Sequence, residues 1–175
     1  MKRIAAKEKI PLVVEDAMQI VTFQVGSEAY GLEIRSITEV IRLPKITPLP
    51  RMPEFIEGVI NLRGTIIPVV DLRKRFSLSR IVHNAKAVRV IIIKGAVPGM
   101  SGGGRELLGL IVDSVKEVLQ MPRRDIEPAP ASAVGRDVEF ITGMGKAGDQ
   151  LIILLDITRI LSQQERSALV EAGDA

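Results

Sequence analysis

The chain has no cysteine and no tryptophan, and it carries a single histidine. Without cysteine there is no disulfide, no thiolate nucleophile and no Cys-ligated zinc, which suits a reducing compartment. Aromatic residues make up only 3% of the chain, so the core has to be built from Ile, Val and Leu. That β-branched bias favours sheets over helices. No run approaches the ~18 apolar residues that a membrane-spanning helix needs. The longest, around Val90–Ile93 and Leu151–Leu155, have the length of strands. The basic start, Met1-Lys-Arg-Ile, is not followed by an apolar segment, because Glu15 and Asp16 interrupt it. It therefore does not read as a secretory signal, and a cytoplasmic location is expected.

Catalytic signatures are missing as well. Gly143-Met-Gly145-Lys-Ala-Gly148 matches the spacing of a dinucleotide fingerprint, but that motif needs a strand before the glycines and a helix after them. Here a strand follows, Leu151–Leu155, so the glycines read as a hairpin turn. No Gly-Lys-Ser/Thr sequence is present, which excludes a phosphate-binding P-loop. His83 lies in Arg80-Ile-Val-His-Asn-Ala, which reads as a linker between two halves, with no nucleophile to serve. The carboxylates are scattered over turns and helix starts, without the pairing or spacing of a hydrolase or a metal site. Neither enzymatic activity nor a cofactor is expected.

What the chain does contain is a soluble globular balance: 46% hydrophobic and 26% charged residues over 175 positions, enough to bury a core. The net charge of +3 and pI of 9.4 invite a nucleic-acid reading. Yet Arg73-Lys74-Arg75 follows Asp71 and Arg123-Arg124 precedes Asp125, so no long single-sign block develops. These charges read as a solvated, mixed surface. Nucleic-acid stacking also needs aromatics, and Tyr30 plus four phenylalanines are few.

Residues 1–16 are polar and patternless and read as a leader. Gln19–Val25 alternates and ends at the turn signal Gly26-Ser-Glu, before a second strand at Tyr30–Ile34. Arg35–Glu39 could form one helical turn ahead of Val40–Leu43. Pro44, Pro48, Pro50 and Pro53 then forbid a regular helix. Val59–Leu62 and Thr65–Val70 form a hairpin about Arg63-Gly64, and Asp71–Phe76 a short helix. Ala87–Ile93 and Leu107–Val112 are strands either side of a glycine-rich loop, Gly95–Arg105. Residues 157–172 read as the one longer helix.

The most informative feature is an internal repeat. At a shift of 78, Gly31, Leu32, Ser36, Glu39, Val40 and Pro44 meet Gly109, Leu110, Ser114, Glu117, Val118 and Pro122. At a shift of 85, Phe55, Ile56, Gly58 and Asp71 meet Phe140, Ile141, Gly143 and Asp156. Two copies are too few for a solenoid. The pattern predicts two similar small β-barrels packed side by side, since closure removes exposed edges. The first spans about 17–80 and the second about 84–156, with exchange of strands between them allowed, and 157–175 form a C-terminal helix and tail. Shared residues should serve the barrels, with Phe55 and Phe140 packing and Asp71 and Asp156 capping helices. Arg63 has no equivalent: its counterpart is Gly148. An arginine on a tight turn in one copy alone is not explained by barrel folding. Side-by-side barrels leave a groove, and Ile37, Val40, Val88 and Val118 are either its borders or core. An arginine beside such a groove suits a binding hot spot.

The same residues carry a resemblance. Gly58-Val-Ile-Asn-Leu-Arg-Gly-Thr-Ile-Ile-Pro-Val-Val-Asp-Leu-Arg73 closely resembles the signature of the CheW-like domain family. Tyr30–Ile34 resembles its second strand, and Phe140–Gly145 with Leu151–Asp156 its closing segment. The resemblance runs from about Met18 to Leu161. It implies two SH3-like five-stranded barrels and a non-enzymatic adaptor joining chemoreceptor signalling tips to the regulatory domain of the histidine kinase CheA, recruited to membrane-associated receptor arrays. It implies receptor binding at Arg63, with Asn61 and Leu62 of the same turn, at Glu39 as the acid that can pair with it, and at Ile37 and Val88. Kinase contacts fall around Leu43–Pro50, with Leu43, Ile46 and Pro48 as candidates. The Gly95–Arg105 loop departs from the family by its length and reads as a surface insertion. Alternative readings are the same coupling role in a pathway controlling pili or biofilm, a small-barrel nucleic-acid binder and, weakest, an enzyme.

Overall fold

A computed structural model describes residues 16–78, 84–95, 106–129 and 140–174. The leader, His83 and most of the Gly95–Arg105 loop lie outside the described residues. Ten strands form two five-stranded sheets. They are β1 (Ala17–Val25), β2 (Glu28–Glu33), β3 (Ile37–Arg42), β4 (Ile56–Leu62) and β5 (Thr65–Asp71), followed by β6 (Arg89–Lys94), β7 (Leu107–Val112), β8 (Ser114–Pro122), β9 (Ile141–Ala147) and β10 (Gln150–Leu155). Among the described residues two α-helices accompany them, α1 (Leu72–Arg75) and α2 (Gln163–Asp174).

The strand orders, β8-β1-β2-β10-β9 and β3-β6-β7-β5-β4, show what the repeat means. The first sheet takes β1 and β2 from the first copy and β8, β9 and β10 from the second. The second sheet takes β3, β4 and β5 from the first copy and β6 and β7 from the second. The exchange is therefore reciprocal, and a boundary near residue 80 falls within the second sheet's strands rather than between sheets. The copies meet in two parallel pairs, β2 with β10 and β5 with β7. Here the matched glycines Gly31 and Gly109 lie. A Cβ on Gly31 would sit 2.6 Å from Ile20 Cγ2, and one on Gly109 2.9 Å from Val90 Cγ1. Both junctions are packed too closely for any side chain.

Each sheet curls without a continuous ladder between its outer strands. The expected closure into barrels is therefore not complete: among the described residues one isolated bridge spans each seam, Thr47 with Val59 in the second sheet and Glu127 with Met144 in the first. The crossing chain lies directly on a glycine. At Gly58, with φ of +144°, a Cβ would run into the Thr47 carbonyl, and at Gly143 it would come within 3.0 Å of the Glu127 carbonyl. Both copies also carry a bulge just before this point, between Ile56 and Gly58 and between Leu155 and Leu154, the latter opposite Ile141 and Gly143. The repeat thus preserves bulge, glycine and seam together.

Three apolar clusters result. Ile60, Ile67, Val69, Val90 and Ile92 fill the second sheet, and Ile20, Met121, Ile152 and Leu154 the first. The largest cluster joins the sheets and holds most of the aromatics: Phe23, Tyr30, Phe76 and Phe140 follow in series at centroid distances of 6.0, 5.1 and 5.8 Å, the first two pairs stacked and the last tilted. Asp71 and Asp156 cap the segments that follow them, each accepting a backbone N–H two residues on at 2.9 Å.

Three local readings change. A 3₁₀ turn occupies Ile34–Ser36, and Ile37–Arg42 is strand throughout. A second 3₁₀ turn at Ala85–Ala87 precedes β6, which begins at Arg89. The C-terminal helix begins at Gln163, after a separate 3₁₀ turn at Ile157–Arg159. The break has a clear cause. Ser162 Oγ accepts the Glu165 N–H at 3.1 Å while Glu165 Oε1 accepts the Ser162 N–H at 2.7 Å, a reciprocal capping box that starts a new helix.

Candidate functional site: two ends of one hairpin

Arg63 and Gly64 form the two-residue turn between β4 and β5, with φ of 51° and 87°. Two consecutive left-handed residues match the twist of the strands they join. The Gly64 N–H donates to Asn61 Oδ1 at 2.9 Å, so Asn61 holds the turn from its exposed position. For glycine this conformation carries no penalty, and Gly148 adopts it with φ of 65° in the other copy. For arginine it costs about 1 kcal/mol or more. The Arg63 guanidinium reaches across the seam to an ion pair with Glu39 of β3. Arg63 nevertheless keeps 69% of its side chain exposed, so the pair offsets little of the strain.

Ile37 stands at the same end of β3, half-buried against the cluster between the sheets. Leu62 points the other way and packs against the second sheet's own interior. Val40 and its repeat partner Val118 are exposed on the outer strands, at 39% and 50%, rather than core. The structure thus brings Ile37, Glu39, Asn61 and Arg63 to one end of the second sheet.

Val88 is elsewhere. In the β3–β6 register Ile37 faces Ile93 and Arg42 faces Arg89, so Val88 lies five residues from Ile37's partner, about 16 Å along the strand. It lines a cavity of about 420 Å³ together with Leu43, Ile46, Ala85 and Ile111. Two of the candidates around Leu43–Pro50 are therefore joined to Val88, whereas Pro48 lies outside this lining, exposed where the chain crosses Gly58.

The cavity floor is charged. Lys74 pairs with Glu57, and Arg73, only 6% exposed, pairs with Asp113. Asp113 Oδ2 also accepts the Gly26 N–H at 2.8 Å, tying the second sheet's end to the β1–β2 turn of the first. Asp71 completes the floor. Burial pushes its carboxyl above the usual aspartate range, the neighbouring Glu57 adds to this, and the backbone N–H of Arg73 opposes it.

The reading of Arg73-Lys74-Arg75 as a solvated run is thereby corrected. Arg75 is also mostly covered: its guanidinium lies 4.5 Å from the Phe55 ring and 4.4 Å from the Phe140 ring, and donates to the Ile160 carbonyl at 2.8 Å. These two phenylalanines are repeat partners, so Arg75 is clasped between the copies. A charged run following a capping aspartate looks solvated in sequence, and nothing local distinguishes an arginine that turns inward.

The glycine motif at 143–148 is strand and turn. Gly143 and Gly145 lie within β9, and Gly145 is packed under the Met121 thioether. Among the described residues no three His, Cys, Asp or Glu side chains are grouped as metal ligands, and no helix is long and apolar enough to cross a membrane.

Residues 19–165 match the family model of the CheW-like domain. The chain is 34% identical to a chemotaxis protein CheW of Klebsiella aerogenes, over 87% of this chain and 86% of that protein. It is 30% identical to one from Treponema pallidum, over 92% of each. A crystal structure of the scaffolding protein TtCheW from Thermoanaerobacter tengcongensis superposes with a TM-score of 0.74 at 38% identity, covering 86% of this chain and 92% of that one.

Proposed function

The chain belongs to the CheW-like domain family, and from that premise we propose that it is a non-enzymatic adaptor holding chemoreceptor signalling tips and the regulatory domain of the kinase CheA at the same time. The observation that supports this best is the Asn61–Gly64 turn. A strained arginine stands where the other copy uses glycine, and its exposed pair with Glu39 returns to the fold at most about 1 kcal/mol. In the proposed role, the receptor's helical hairpin lies along the groove beside Ile37. Arg63 exchanges or extends its contact with Glu39 toward the hairpin.

The kinase is assigned to the other end of the same strands, at Leu43 and Ile46, with Pro48 at its margin. We place Val88 with this second end. From Glu57 to Arg63 the β4 strand advances six residues, about 20 Å, so the two partners do not compete for space. An adaptor needs little else: two separated surfaces on one rigid body. Its setting is the cytoplasm, at receptor arrays.

Titration of a receptor signalling-tip fragment into the protein tests this. Wild type binds, and Arg63→Ala binds about 30-fold or more weakly, in line with about 2 kcal/mol for truncating a hot-spot arginine. Equal affinity for the two proteins would remove Arg63 from the receptor surface.

A further inference from the structure

Of the five apolar residues lining the 420 Å³ cavity, all but Ile111 have a cation beside them in the chain. Arg42 precedes Leu43, Lys45 precedes Ile46, Lys86 follows Ala85, and Arg89 follows Val88. Arg42 and Arg89 are register partners across β3 and β6, so two like charges stand directly opposite on one face. Such a pair opposes sheet formation. The Arg89 guanidinium is held in place by the carbonyls of Lys86 and Val88, both at 2.8 Å, neutral acceptors that leave its charge uncompensated. Among the described residues none of the four meets a carboxylate at ion-pair distance. The acids of the cavity floor are already engaged: Glu57 with Lys74, Asp113 with Arg73, and Asp71 with the backbone of α1.

The other sheet has a smaller hollow at the equivalent end, about 150 Å³, where Met18 replaces Val88 and Glu33 and Asp156 line the wall. Arginines stand at that end too, but Arg35 pairs with Glu33, Arg123 with Asp16 and Arg124 with Asp125, so the collar of cations without carboxylate partners belongs to the second sheet. Leu43, at its centre, keeps 46% of its surface exposed.

We propose that this end of the second sheet is a docking site for an acidic protein segment, one that inserts one or two bulky apolar side chains between Leu43, Ile46 and Val88 while flanking carboxylates meet Arg42, Lys45, Lys86 and Arg89. The collar supplies attraction and orientation, and the cavity supplies the buried contact. A protein segment fits better than a nucleic acid, because the centre of the collar is aliphatic and offers no aromatic platform for a base. Only the choice of the kinase regulatory domain as natural partner rests on the function proposed above.

Two titrations of the full chain test the site, each followed through the methyl signals of Leu43, Ile46 and Val88. In one, the probe is a short peptide with Leu-Phe flanked by glutamates, against the same pair flanked by lysines. In the other, the probe is the kinase regulatory domain at ~50 and ~500 mM salt, a range that takes screening from long to short. The glutamate peptide shifts these methyls and the lysine peptide does not. Kinase binding weakens at least tenfold at the higher salt. The double variant Arg42→Glu/Lys86→Glu, at exposed positions, melts like wild type and loses at least tenfold in both titrations with a flattened salt slope. Glutamate-peptide binding without kinase binding would uphold the site and remove the kinase as its partner. Equal shifts by both peptides, unchanged affinity in the double variant, or displacement of the glutamate peptide by a single-stranded oligonucleotide would overturn the proposal.

Discussion

Arg63 separates folding from binding at the level of one residue. Its backbone sits in a region that an L-residue enters at a cost, and its ion pair with Glu39 is exposed. Replacing it with glycine, the residue the second copy uses, relieves the strain and forfeits a pair worth about 0–1 kcal/mol. Arg63→Gly is expected to unfold in urea within about 1 kcal/mol of wild type while losing receptor affinity as Arg63→Ala does. Marked destabilisation would show that the turn needs the arginine.

Asp71 offers a second residue-level test. Because burial raises its pKa in the folded chain, the folded state holds this proton more tightly than the unfolded state does. Stability from this site is therefore greatest below the unfolded value, falls as pH climbs from there through the raised value, and is level above it. Asp71→Asn keeps an acceptor for the Arg73 N–H and cannot ionise. Its urea midpoint should gain on wild type as pH climbs from the ordinary aspartate value through the raised one, and hold that gain beyond it. A difference that shrinks over that climb contradicts the assignment of burial as the dominant cause.

At the scale of elements, the seam glycine and the turn glycine should behave differently although both have positive φ. A Cβ at Gly58 meets the Thr47 carbonyl on the chain that closes the seam, whereas one at Gly64 meets nothing within 4 Å. Gly58→Ala is expected to cost about 2 kcal/mol or more, from strain and collision together. Gly64→Ala should cost about 1 kcal/mol, from backbone alone. Equal costs, measured by urea unfolding, would mean that the seam is not a fixed contact. The sequence carried much of this. Alternation and turn residues located the strands, and the repeat identified Gly58 and Gly143 as paired positions. It did not reveal that the glycines lie beneath a crossing chain, since the partner is brought there by tertiary structure. The C-terminal helix was misread for a different reason. Ile157, Ile160 and Leu161 fit one apolar face with Ala168 and Leu169 apart from a break near Gln164, and it is Ser162 with Glu165, three apart, that makes that break a new start.

For the whole molecule, the repeat told of two units but not of their exchange, because strand alternation is indifferent to which copy supplies a neighbour. Exchange makes the sheets interdependent. Arg75 sits at the join, its guanidinium between Phe55 of one copy and Phe140 of the other. Lysine keeps the charge without the planar group that stacks on two rings. Arg75→Lys is expected to cost about 1–2 kcal/mol and to leave a single cooperative transition by near- and far-UV signals. Two separated transitions would show that the sheets fold independently. The site was legible in part: Arg63 stood out by lacking a repeat partner, and Leu43 and Ile46 were placed by resemblance. That Val88 shares their cavity follows from the β3–β6 register, which no local pattern displays.

The central claim is that one rigid body holds two partners about 20 Å apart. Co-sedimentation of receptor signalling tips, the kinase and this protein, with kinase autophosphorylation followed in the same samples, tests it most directly. The account predicts that kinase sediments with receptor only when the protein is present. Arg63→Ala should release the receptor while still binding the kinase, and Val88→Asp should do the reverse. Receptor and kinase displacing one another from the wild-type protein, or both being lost together in each variant, would contradict it.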